Sequence, residues 1–334
     1  MSHKNIALVT GGAGFIGSHL VDLLIDSGYQ VRVIDNLFSG NLDNLQNWRG
    51  CTDLEISNED IRKIDLSSSI FKDVKYFFHL AGIGEIVPSI EQPINYMDIN
   101  VQGTVRMLEA SRLNCINKFI YAASSSCYGL AETPTNENHK IEPMYPYALS
   151  KYLGELATFH WGKVYGVKIN SICIFNAYGP RVRTQGAYGA VFGVFLKQKL
   201  VGKPLTIVGD GSQSRDFVYV TDVAKSFLAA AEKPIFGERF NVGGGRPQSI
   251  TQLANLIGGE IAYIPRRPGE PKATHADISK AKLLLDWSPV VDFEYGVREM
   301  MKNISAWENA PLWDENSIAE ATKSWFRYLG NNEF

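Results

Sequence analysis

Short apolar runs recur through the first 180 residues: NIALVT, YQVRVID, DLEIS, VKYFFHLA, NKFIYAAS and VKINSICIFN. Their β-branched and aromatic content predicts buried strands. Between them lie amphipathic stretches, such as 91–113 and 146–165, that predict helices. This alternation predicts an α/β fold of the Rossmann type, a doubly wound parallel sheet with helices on both faces. Beyond Asn176 the texture changes. Glycine and proline become frequent, the runs shorten to LTIVGD and AYIP, and helices at 187–201 and 279–286 are set between irregular segments. The pattern therefore predicts a first domain of residues 1–175 with 217–243, and a smaller α/β substrate-binding lobe of 176–216 with 244–306. Residues 307–334 form a helical extension, in which Ile318, Thr322, Trp325, Phe326 and Leu329 have helical spacing. Docking on the protein's own body is the plain reading of that helix, and a subunit contact is the other.

Composition narrows the possibilities. The chain has 334 residues, 45% hydrophobic and 20% charged, with a net charge of −2, which offers no basic field for nucleic acid. No apolar stretch reaches the length of a membrane span, and the N-terminus runs straight into the first strand pattern, so a cytoplasmic protein is expected. Cys51, Cys115, Cys127 and Cys173 have no metal-ligand or paired spacing, so no metal is expected. Cys127 reads as a buried thiol without a task and His79 as a packed histidine.

The segment LVTGGAGFIGSHL places Gly11, Gly14 and Gly17 between the first strand and a helix. Glycines here let the backbone turn tightly and approach a pyrophosphate, which then lies on unpaired helix N–H groups. The second strand ends at Asp35, whose carboxylate suits the two ribose hydroxyls of an adenosine and would repel a 2′-phosphate. No arginine follows it. NAD, rather than NADP, is the cofactor this pattern predicts.

YPYALSKYLGE puts Tyr147 and Lys151 four apart at the start of a helix, and so on one face. A phenol with an ordinary pKa near 10 is a poor base, and a neighbouring ammonium stabilises its phenolate. The strand ending YAASSSCYG brings Ser124, Ser125 and Ser126 to the same end of the sheet.

With these segments, the chain resembles the extended short-chain dehydrogenase/reductase family, in its nucleotide-sugar branch typified by UDP-galactose 4-epimerase. TGGAGFIG, DNLFSG, HLAG, SSSCYG, YALSK, IFNAYGPR, GDGSQSRDFVYVTDV and RRPGEP carry the resemblance, from Asn5 to about Ala306. The resemblance implies that Ser124, Tyr147 and Lys151 are catalytic. It implies NAD binding by Gly11, Gly14, Phe15, Ile16, Gly17, Asp35, Asn36, Asp60, Ile61, Leu80, Ala81, Gly82 and Asn100, with Tyr147 and Lys151. It also places Asn176 on the sugar–phosphate linkage, Arg215 and Arg267 on the diphosphate, Glu270 on the nucleoside ribose, and 187–192, including Val191, along the base. A salt-bridged loop is the competing reading of the Arg215 segment, and Arg181 is left without an assignment. A homodimer through 91–113 and 146–165 is implied as well.

Within that branch, 4,6-dehydratases follow the catalytic hydroxyl residue with Asp and Glu, and the UDP-glucuronate decarboxylases keep the Glu. Here those positions are Ser125 and Ser126, which cannot transfer protons in that way at neutral pH. Oxidation and reduction at C4 of a UDP-hexose remain. Epimerases confined to non-acetylated sugars carry Lys and Tyr where this chain has Gly84 and Thr274. The smaller residues imply room for an N-acetyl group, hence UDP-GlcNAc and UDP-GalNAc. The competing readings are a 4-epimerase or 4-ketoreductase of another nucleotide sugar, such as a uronate, and a non-catalytic NAD sensor, which would not need Tyr147 and Lys151.

Overall fold

The computed structural model describes residues 4–185, 191–266 and 270–330. Each early apolar run becomes a strand: β1 (Ile6–Thr10), β2 (Gln30–Ile34), β3 (Leu54–Ser57), β4 (Val74–His79), β5 (Lys118–Ser124) and β6 (Ile169–Ile174). All pair in parallel in the order β3-β2-β1-β4-β5-β6, and a seventh strand, Glu238–Val242, joins beyond β6. The order reverses direction beside β1. That leaves a crevice at the carboxyl ends of β1 and β4, where an open α/β sheet takes its ligand.

Helices cover both faces. They are α1 (Phe15–Asp26), α2 (Ile86–Glu91), α3 (Pro93–Met97), α4 (Gly103–Leu113) and α5 (Pro146–Tyr165). The helix expected over 91–113 is thus broken. Pro93 starts α3 afresh after α2, and a wide turn at Asp98–Gln102 separates α3 from α4. That turn buries Asn100. The α5 helix begins cleanly because Pro146, at its first position, has no N–H to leave unpaired and a φ already suited to a helix.

After β6 the elements shorten: β7 (Asn176–Tyr178), α6 (Val191–Leu200), β8 (Leu205–Val208), β9 (Ser214–Arg215) and β10 (Phe217–Tyr219). Then α7 (Val220–Glu232) and β11 (Glu238–Val242) return to the large sheet, with α7 packed on α1. The chain leaves it again through β12 (Gln248–Ser249), α8 (Ile250–Ile257), β13 (Ile261–Ile264) and α9 (Phe293–Lys302). These short strands make only two-stranded pairs, β7 with β10, β9 with β12 and β8 with β13. A separate core of Tyr178, Phe192, Phe195, Phe217, Phe293 and Trp307 holds them. The helix expected at 279–286 is a single wide turn, Ala281–Leu285.

The extension forms two short helices where one was expected, α10 (Glu315–Ala321) and α11 (Lys323–Leu329). Buried Thr322 marks the break, its hydroxyl donating back to the Ile318 carbonyl at 2.7 Å. Such back-bonding competes with the helix ladder and bends the chain. No helix among the described residues is long and apolar enough to cross a membrane, and none of their acidic, His and Cys side chains cluster to hold a metal.

Candidate active site

Strand β5 is buried along its whole length and delivers its last residue, Ser124, to the crevice. The Ser124 hydroxyl donates to Ser126 Oγ at 3.1 Å and accepts the Ser126 N–H at 3.3 Å. The Tyr147 phenol lies near Ser124 and the Tyr145 phenol near Ser126, and each serine hydroxyl opposes the rise that burial gives its phenol. The result is a cluster of four hydroxyls, those of Tyr147, Ser124, Ser126 and Tyr145. The two tyrosine rings lie nearly parallel, 13° apart, with centroids at 6.4 Å. Two of the three serines therefore have a clear structural use, and neither is acidic.

Tyr147 stands on the first turn of α5 and Lys151 one turn later. Burial pushes the Tyr147 phenol up from its ordinary value, and the Ser124 hydroxyl opposes that rise. Burial lowers the Lys151 ammonium to about 8, so it remains mostly charged at neutral pH. Its Nζ lies over the Tyr121 ring, 4.5 Å from the centroid, a cation–π contact that compensates for lost water. The loop after β4 faces this pair. A methyl group built on Gly82 would sit 3.9 Å from Lys151 Nζ, and one on Gly84 would sit 3.7 Å from the Tyr147 hydroxyl.

Asn100 fixes that loop. Its amide accepts the Ile83 N–H at 2.9 Å and donates to the Ile83 carbonyl at 3.0 Å and to Ser150 Oγ at 2.9 Å. Both donors are thereby used, and the bonds to Ile83 tie down the residue that follows Leu80, Ala81 and Gly82.

The nucleotide loop fits a dinucleotide. Gly11 has φ +72°, and a Cβ there would meet the Ala81 backbone nitrogen at 2.8 Å. A Cβ on Gly17 would meet the Gly11 carbonyl oxygen at 2.1 Å, so only glycine lets α1 come this close to the loop. No side chain caps α1 at Gly14, and the first-turn N–H groups beside Phe15 and Ile16 face the crevice mouth as a ready anion site. Asp35 is buried at the end of β2, each carboxylate oxygen taking one backbone N–H, from Leu37 and Ala13, at 2.9 Å. Each oxygen keeps acceptor capacity for a ribose hydroxyl. Asn36 reaches Asp60, which Arg62 holds low, at about 2. The Arg62 fork is engaged by Asp60 and Asp98, at 2.7 and 2.6 Å. Ile61 is buried and lies where a Cβ on Gly103 would strike it.

On the opposite wall, Arg215 donates to Glu270 at 2.7 Å and to the Ser214 carbonyl at 2.9 Å. The segment is thus salt-bridged, as its competing reading has it, and both partners face the same region as Tyr145. Thr274 donates to Asn176 Oδ1 at 2.9 Å and accepts the Asp216 N–H at 3.1 Å. Val191 opens α6, whereas Arg267 and 187–190 lie outside the described residues. Arg181 pairs with Asp22 at 2.8 Å, on the back of α1.

Three features were not read from the sequence. Tyr145 is the first, although its place two residues before Tyr147 was a usable signal. The second is a buried carboxylate one turn beyond Lys151. Glu155 accepts Arg239 Nε at 2.9 Å and Ser171 Oγ at 2.5 Å, a pairing between α5, β6 and β11 that no local pattern announces. The third is the bridge made by His79, which joins Thr10 at 2.7 Å to Thr104 at 3.0 Å. Cys127 is buried, and burial pushes its thiol up to about 12, so it stays protonated.

Residues 7–243 match the NAD dependent epimerase/dehydratase family. A putative UDP-glucose 4-epimerase of Methanocaldococcus jannaschii is 40% identical over 308 residues, 89% of this chain and 98% of that protein. A UDP-N-acetylglucosamine 4-epimerase from Methanobrevibacter ruminantium superposes with a TM-score of 0.85 at 36% identity, covering 92% of this chain and 99% of that one. The UDP-glucuronic acid 4-epimerase from Bacillus cereus, solved with UDP-glucuronic acid and NAD, gives 0.84 at 34% identity, covering 90% and 99%.

Proposed function

The chain belongs to the NAD dependent epimerase/dehydratase family, and from that premise we propose that it is a UDP-sugar 4-epimerase that interconverts UDP-GlcNAc and UDP-GalNAc and also accepts UDP-glucose and UDP-galactose. The observation that carries this reading is the hydroxyl cluster of Tyr147, Ser124, Ser126 and Tyr145, which contains no carboxylate. Dehydration or decarboxylation needs a further acid or base beside C5 and C6. Ser125 and Ser126 do not supply one. Glu155 is locked to Arg239 and Ser171, and Glu270 pairs with Arg215 on the opposite wall.

What these groups can do is move one proton at one oxygen. Ser124 holds the sugar 4-oxygen, and Tyr147, as phenolate, takes the 4-hydroxyl proton. Lys151 stabilises that phenolate from one helical turn away. NAD, held by the glycine loop and Asp35, supplies the hydride acceptor and donor for C4 when bound. After the 4-keto sugar turns over in the pocket, Tyr147 returns the proton to the oxygen on the other face.

Gly84 supports the acetylated substrates, because it adds no side chain between the loop and the Tyr147 hydroxyl. Thr274 supports them by lying low, both hydrogen-bond functions of its hydroxyl turned to Asn176 and Asp216. The test is a panel of UDP-GlcNAc, UDP-glucose and UDP-glucuronate without added NAD, followed by mass identification of the cofactor released on denaturation. Turnover confined to UDP-glucuronate, a 4-keto-6-deoxy product, or mainly NADP in the extract would refute the reading. A homodimer through α4 and α5 is proposed on their exposed apolar residues, Leu113, Leu149, Leu156 and Val164. A single-chain mass by light scattering would count against it.

A further inference from the structure

The carboxyl-terminal extension crosses from one wall of the crevice to the other. It leaves the second lobe at Trp313, whose carbonyl accepts Gln198 Nε2 at 2.7 Å, and Ile318 of α10 is buried with Val208 and Ile264 at the ends of β8 and β13. Beyond the Thr322 bend, α11 packs on α2, the helix that follows Gly84. Ser324 Oγ donates to Glu91 at 2.8 Å. Trp325 is buried, and its ring centroid lies 6.3 Å from that of Tyr145. Tyr145 in turn flanks Tyr147, which has Tyr96 on another side at 6.4 Å.

We propose that Glu315–Leu329 is a strap joining the two walls of the site, and that Trp325 is a positioning residue that acts through Tyr145 on Tyr147. The role in catalysis rests on the 4-epimerase reading above. Tyr147 sits on the first turn of its helix, so its hydroxyl is placed by the side chains around the ring. Tyr145 is one of them, and it is itself backed by Trp325. A displacement of about 1 Å at a reacting group costs up to ~100-fold in rate.

Two full-length variants test the positioning role. Trp325→Ala should lower kcat roughly 5- to 20-fold, a part of the misplacement penalty, with UDP affinity by calorimetry unchanged and KM little altered. Trp325→Phe should restore most of the rate. A variant that loses UDP affinity while kcat holds would overturn the role, and so would a Phe variant as slow as the Ala one. The docking is tested without activity. Tyr145→Ala should release the strap, so that trypsin cuts after Lys323 and Arg327 about tenfold faster than in wild type, as expected for a locally opened segment. An unchanged cleavage rate would refute the strap. If wild type turns over no UDP-sugar but Tyr145→Ala still frees the segment, the epimerase reading and the positioning role fall while the strap stands.

Discussion

The two walls of the site are built differently. Ser124, Tyr147 and Lys151 stand on β5 and α5, elements pinned by the ladder of a seven-stranded sheet and by its core. Arg215, Glu270, Thr274 and Asn176 stand on two- and three-residue strands and on loops, and they hold one another by side-chain bonds. Under the proposed function, chemistry is thus placed where backbone order fixes an atom, and recognition where side-chain pairs can open to a ligand. Proton transfer tolerates little displacement, whereas a bound diphosphate can replace one partner of an exchangeable pair.

The contrast can be broken most severely from the rigid side. Arg239→Met leaves Glu155 as a buried, uncompensated carboxylate, and breaking such a pair costs about 3–5 kcal/mol. Urea denaturation should show that loss. Arg215→Met, which opens the pair on the other wall, should cost less, because the carboxylate left behind, Glu270, is a quarter exposed and keeps water where Glu155 has none. Comparable losses in both variants would erase the distinction.

The next effect is on rate. Tyr147→Phe removes the general base and should lower turnover about 100-fold or more without moving the denaturation midpoint greatly. Near-normal turnover would remove Tyr147 from the reaction.

On the recognition wall the expected change is in selectivity. Thr274→Tyr puts a ring beside Asn176 and should depress kcat/KM for the acetylated pair by roughly 5- to 150-fold relative to UDP-glucose, the range of a clash costing about 1–3 kcal/mol. If the ratio does not move, Thr274 is not part of the sugar pocket.

The smallest effect is a pH dependence of the rigid wall. Burial lowers His79 to about 3, so the folded state keeps it neutral while the unfolded chain protonates near 6.5. The unfolded state then binds the extra proton between those values, and stability falls as pH drops through this window, by at most ~1.4 kcal/mol per pH unit for one group. His79→Asn should flatten the slope of stability against pH between 6.5 and 5. An unaltered slope would show that the dependence arises elsewhere.

Much of the catalytic wall was legible because its signals are local. The glycine loop, Asp35 at a strand end, the serine run and the four-residue interval from Tyr147 to Lys151 are each set within one strand–helix unit, where a period and a steric rule suffice. The break at Asp98–Gln102 was not legible, since the apolar spacing of 91–113 continues through it and only Asn100's partners explain the wide turn. The extension was read as one helix for a similar reason. Its apolar spacing runs through Thr322, but the bend belongs to a residue buried between two bodies.

The sequence by itself determined the doubly wound sheet and the placing of the glycine loop, Asp35, Ser124, Tyr147 and Lys151 at one end of it, because hydrophobic period, turn geometry and intervals along one helix depend only on neighbours in the chain. Tertiary structure alone decided that Ser126 lies beside Tyr145, that Glu155 is neutralised by Arg239 and that Trp325 packs against Tyr145. These pairs lie 19, 84 and 180 residues apart in the numbering, and no local rule brings such groups together. They meet because burying polar and aromatic side chains requires partners, and the packed fold supplies them from wherever in the chain they come.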